Sequence, residues 1–200
     1  MSSSPARNAR SRFAEIVSVE DERVNLAEAA LVIAAEEYPR LDVEGYLEKL
    51  DLLGDIARDQ AADTRDAMDF ISAVNATLFE RRGFRGNRDA YCDPRNSFLN
   101  EVIDRRTGIP ITLTVIYIEV ARRIGFAVKG VGLPFHFIAK HEAETGDIYI
   151  DPFNEGRVLG RHACAELIAL ISSASAHPQA SFLRSCSEIP DSVNSTESLS

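Results

Sequence analysis

Apolar positions recur at helical spacing three times in the first half of the chain. Leu26, Ala29, Ala30, Ile33 and Ala34 predict a helix over 24–37, ended by Tyr38-Pro39. Asp42 caps a second helix, with Val43, Tyr46, Leu47, Leu50, Leu53 and Ala57 on one stripe. A third spans 64–82, with Ala67, Ile71, Val74 and Leu78 inward and Gly83 as its stop. All three are amphipathic, so they are expected to form a layer packed against something else. Residues 84–92, rich in arginine, glycine and asparagine, read as an ordered loop. Asp93-Pro94 then opens a helix, with Asp as N-cap and Pro at the first helical position. Phe98, Leu99, Val102 and Ile103 supply its buried side. Asn96, Asn100 and Asp104, at spacings of four, share another face, either as a binding row or as polar groups bonding the preceding loop.

The pattern changes over 108–125. Pro110 sits just inside a helix start. Leu113, Val115, Ile116, Tyr117, Ile118 and Val120 are apolar on nearly every face, and Gly125 ends the run. Such a helix is buried at the centre of a domain, and it is too short to span a membrane. Beyond it the period falls to two, predicting strands over 127–133, 134–141 and 147–151 with a turn at 142–146. Alternation puts Phe135, Phe137 and Ala139 on one face with Ile148 and Ile150. His136, Ile138 and Lys140 then share the other with Tyr149 and Asp151. A turn centred near Ala143 or Glu144 sets His136 almost opposite Asp151. A last helix is expected over 161–171, and from Ser172 the sequence reads as a serine-rich, disordered tail.

The 200 residues suffice for one domain, and the hydrophobic fraction of 45% is that of a globular protein. A net charge of −9 argues against nucleic acid as a partner. Cys92, Cys164 and Cys186, odd in number and scattered, do not form a disulfide framework, so a reducing cytoplasm is the expected compartment. No segment has the length and apolarity of a signal peptide or membrane anchor. Residues 1–12, rich in serine and arginine, are expected to be disordered. The arginine pairs at 105–106 and 122–123 read as charges favoured at helix C-termini.

Residues 93–114, with Gly83-Phe-Arg-Gly-Asn-Arg88, Gly130-Val-Gly-Leu-Pro134, His136-Phe137 and Ile150-Asp-Pro-Phe-Asn154, closely resemble the SirB1 family of transglutaminase-like proteins. Asn25-Leu-Ala-Glu-Ala-Ala30 and Glu36-Glu-Tyr-Pro39 resemble that family's helical N-terminal portion. The chain departs from the pattern at Phe135, where glycine is usual. It also departs after Arg161, where members commonly continue into a tetratricopeptide-like region. The resemblance implies an α+β fold: a cysteine-protease-like core with a central buried helix against an antiparallel sheet, preceded by a helical layer. The expected organisation is a disordered 1–12, a helical portion 13–92, a transglutaminase-like core 93–172 and a tail 173–200.

In active transglutaminase-like enzymes a cysteine opens the central helix, a histidine follows on a strand, and an aspartate on the next strand orients it. His136 and Asp151 fit those roles, but Pro110, Ile111 or Thr112 stands where the thiol belongs. Thr112 could serve as nucleophile with His136 as base and Asp151 as orienter. An alkyl hydroxyl ionises far less readily than a thiol, however, and Thr112 equally suits a structural helix start. Cys92, the alternative thiol, adjoins Asp93 and precedes the wrong helix. No zinc spacing is present, and neither metal nor cofactor is expected. Three functions follow: a non-cysteine transglutaminase-like module binding a peptide or protein, a hydrolase or acyltransferase using Thr112, and an adaptor working through its helical layer.

Overall fold

A computed structural model describes residues 5–20, 23–61, 66–134 and 136–160. Six α-helices precede a four-stranded sheet, and the central one is the apolar helix α6, Pro110–Arg123. Helices α2 (Leu26–Glu37), α3 (Val43–Ala61) and α4 (Ala67–Asn75) form the expected layer, and α3 lies along α6. Their starts are capped as their sequences dictate. Asn25 accepts from the Glu28 N–H at 3.1 Å, Asp42 from Gly45 at 3.0 Å and Asp66 from Met68 at 2.7 Å. Helix α4 runs on into a π-helical turn, Ala76–Arg81, and Gly83 ends it with φ +69°. One hydrophobic core takes in Leu31, Leu50, Val74, Leu113, Tyr117 and Ile150, so layer and sheet are joined through α6.

The N-terminus departs from expectation. Residues 5–12 belong to a helix, α1 (Pro5–Ile16), rather than to a disordered segment. Arg10 pairs with Glu36 at 2.9 Å, and Arg12 pairs with Glu28 and Glu44 at 2.9 and 2.8 Å. The arginines that read as a polar tail are what fasten α1 to α2 and α3. The pair at 122–123 also does more than meet a helix dipole. Largely buried Arg123 bridges Glu119 at 2.6 Å and Asp51 at 2.7 Å, tying α6 to α3. Gly54 makes this approach possible, because a Cβ there would lie 2.6 Å from that of Arg123.

Strands β1 (Arg85–Gly86) and β2 (Thr107–Gly108) form a short parallel pair that holds the 83–92 loop against the entry to α6. The main sheet is an antiparallel meander of β3 (Lys129–Leu133), β4 (His136–His141), β5 (Ile148–Asp151) and β6 (Arg157–Leu159). Its Ala139 and Ile150 face the shared core, while Ile138, Val131, Leu133, Tyr149 and Leu159 cluster on the other side. The side chains divide between faces as alternation requires, but the register is displaced by two residues. Asp151 pairs in line with Ile138, since Ala139 stands opposite Ile150. The turn runs from Ala143 to Gly146, whose φ of +126° suits glycine, and so centres one residue later than expected. The expected helix at 161–171, Phe135 and the tail lie outside the described residues. Among the described residues no helix is long and apolar enough to cross a membrane.

Candidate functional site

His136 opens β4 and Asp151 closes β5, so the sheet sets them diagonally on one face. Both are buried, 6% and 2% exposed, with His136 Nε2 3.0 Å from Asp151 Oδ2. A carboxylate only accepts, so Nε2 is the protonated donor in this bond. Asp151 also caps the 3₁₀ turn Pro152–Asn154: Oδ1 accepts from the Phe153 and Asn154 N–H groups at 3.1 and 3.3 Å. Its Oδ2 further accepts from Asn154 Nδ2 at 2.6 Å. Burial pushes this carboxyl upward, but the bonds from His136 and Asn154 together outweigh it and hold Asp151 below the ordinary aspartate range.

The network continues outward. Asn154 Oδ1 accepts from Arg88, whose guanidinium lies 5.1 Å from the centre of the Phe153 ring, and the His136 ring meets that phenyl edge-on. Beyond Arg88 lies a surface cavity of about 540 Å³, lined by Arg85, Arg88, Thr107, Phe153, Asn154 and Glu155. Gly86 lets the loop close on Phe153, where a Cβ would come within 2.7 Å of both the ring and the carbonyl oxygen. Arg88, Phe153 and Asn154 were not singled out from the sequence. Their one signal is membership of the Gly83–Arg88 and Ile150–Asn154 strings.

The start of α6 is differently occupied. Thr112 is buried, and its hydroxyl proton lies between the main-chain oxygens of Asn96 (2.9 Å) and Ile109 (3.1 Å). Its oxygen accepts from the Ile109 N–H at 3.2 Å. This is one half of a capping box, isoleucine having no acceptor with which to complete it. None of these bonds reaches His136. Thr114, one turn on, donates to the Phe137 carbonyl at 3.2 Å and joins α6 to β4.

A family model described as the transglutaminase-like superfamily matches residues 44–190. The chain belongs to that superfamily. A UPF0162 protein of Xylella fastidiosa is 40% identical over 153 residues, covering 76% of this chain and 54% of that protein. A UPF0162 protein of Pseudomonas aeruginosa is 31% identical over 166 residues, covering 81% and 58%. F-box only protein 21 of Mus musculus is 37% identical over 106 residues, covering 49% and 17%. The chain thus spans about half the length of the UPF0162 relatives. No solved structure matches it.

His136 and Asp151 thus form a buried hydrogen-bonded pair, and the start of α6 carries, in place of a thiol, a threonine turned to the main chain. Cys92 does not fill the gap: it is disulfide-bonded, contrary to the expectation of unpaired cysteines, because pairing follows spatial approach rather than spacing. The row of Asn96, Asn100 and Asp104 is broken after Asn96, while Asn100 and Asp104 stay one turn apart on a single helix. Phe98 is extended (φ −99°, ψ 121°) and splits the expected helix into a 3₁₀ turn, Pro94–Ser97, and α5, Leu99–Arg105. Asn96 donates to the Ala90 and Tyr91 carbonyls and accepts from Asn87, which organises the loop. Asn100 is buried with its Oδ1 unbonded. Asp104 holds Tyr46 and Lys49 of α3, and none of the three lines the cavity.

Proposed function

We propose that this chain is a transglutaminase-like protein of the SirB1 type that works without cysteine catalysis. It binds a peptide or a segment of a partner protein in the cavity reached from His136 through Asp151 and Asn154, and acts as a recognition or regulatory module. The observation that carries this reading is the commitment of the Thr112 hydroxyl to main-chain carbonyls, beside an intact His136–Asp151–Asn154–Arg88 network that opens onto a cavity. The Thr112 hydroxyl bonds to the main-chain oxygens of Asn96 and Ile109 rather than to His136, which supports a helix-start role over that of a nucleophile.

The test pairs capture with turnover. The full chain is presented to a displayed random-peptide library, and the selected peptides are retested against His136→Ala and Asn154→Ala. Loss of capture in both variants supports the cleft. Unchanged capture moves the binding surface elsewhere. Turnover of an amide or ester panel that disappears in Thr112→Ala restores the hydrolase or acyltransferase reading.

A further inference from the structure

The cavity beside the buried pair holds two guanidinium groups that the fold leaves largely unspent. Arg85 makes no side-chain hydrogen bond or ion pair among the described residues. Arg88 commits one amino group to Asn154 Oδ1 and lies against the Phe153 ring; its other donors make no bond among the described residues. Guanidinium presents a planar fork of donors that pairs with two oxygens of one anion, a carboxylate or a phosphate. The aromatic floor under Arg88 and the wall formed by Thr107 and Asn154 give that fork a fixed setting.

We propose that this cavity is a carboxylate subsite, taking the terminal or side-chain carboxylate of a bound peptide between Arg85 and Arg88. The inference rests on the peptide-binding reading and names the group recognised. Asp89 and Glu155 also line the cavity, and they set its selectivity. They tolerate a singly charged carboxylate paired with two arginines, and they repel the second charge of a phosphate. Asn154 connects the subsite to the buried pair: one end of its amide accepts from Arg88, and the other donates to Asp151, which holds His136. A ligand that draws Arg88 toward itself therefore changes the environment of the His136 ring.

The experiment is a nuclear magnetic resonance titration of the full chain, following Arg side-chain, Asn154 and imidazole signals. The probes are an acetylated pentaglycine with a free carboxylate, its C-terminal amide, and an acetylated, amidated Gly-Gly-Glu-Gly-Gly. Tighter binding of either carboxylate peptide than of the simple amide, with shifts at Arg88 and His136, is expected, and the two acids tell terminal from side-chain recognition. Arg85→Gln and Arg88→Gln should each weaken that binding roughly tenfold, the loss of one charged hydrogen-bonded contact. Arg85→Lys, which keeps the charge but not the fork, should weaken it as well. Equal affinity for acid and amide overturns the carboxylate assignment while leaving peptide binding in place. Tighter binding of inorganic phosphate than of any carboxylate peptide overturns it too. Absence of shifts with all three peptides overturns the subsite, and the library capture then decides the wider reading separately.

Discussion

Replacing Asp151 by alanine removes the acceptor of four hydrogen bonds at once: from His136 Nε2, Asn154 Nδ2 and the Phe153 and Asn154 N–H groups. At least the Phe153 N–H is then buried without its partner, and the His136 ring loses its carboxylate acceptor. An unsatisfied buried donor costs about 1–3 kcal/mol, more where charge is involved, so the whole substitution should destabilise by about 3–5 kcal/mol. Asp151→Asn keeps the shape and one acceptor oxygen, and should lose about half as much. Urea unfolding of the full chain, followed by circular dichroism near neutral pH, measures both. The pH dependence separates charge from shape. The folded carboxyl titrates below its unfolded value, so its contribution is complete above the unfolded pKa of about 3.9 and fades as the pH falls through the folded value. The gap between wild type and Asp151→Asn should therefore narrow as the pH falls below about 4. An Asp151→Ala variant within about 0.5 kcal/mol of wild type, the range of an ordinary surface substitution, would refute the reasoning.

Gly54→Ala forces a Cβ against Arg123 and should cost about 1–2 kcal/mol net of the better helix propensity, read as a lowered Tm; an unchanged Tm would mean that α3 and α6 separate freely. Tyr117→Phe deletes a buried hydroxyl that has no hydrogen-bond partner among the described residues. Stability in urea should stay level or rise by up to about 1 kcal/mol, and a clear loss would contradict that assignment. Thr112→Ala should cost about 1–3 kcal/mol, because it strands a buried carbonyl and the Ile109 N–H. Thr112→Ser, which keeps the hydroxyl, should unfold close to wild type.

Periodicity was most informative where a residue's surroundings are set by its own element. The all-round apolar run made α6 a central helix, and strand alternation placed His136 and Asp151 on one face. It was least informative where one residue's backbone decides. Extended Phe98 breaks the face shared by Asn96 and Asn100, although no local pattern marks it. The hairpin register shifted because the turn takes its left-handed residue at Gly146. Arg88 and Asn154 were illegible as partners because 66 residues separate them, and only folding brings the loop onto the 3₁₀ turn. The helix of residues 5–16 was hidden for a similar reason: its stabilising acids lie on α2 and α3.

The clasp at the start of α6 bears on what a thiol placed there would do. Through the Asn96 carbonyl, the Thr112 hydroxyl anchors the residue whose side chain ties down Asn87, Ala90 and Tyr91. The same loop carries Arg85 and Arg88 into the cavity. A cysteine introduced at position 112 would exchange a strong hydroxyl donor for a weak one and loosen that wall. Reactivity at the helix start and definition of the neighbouring cavity thus compete for a single side chain.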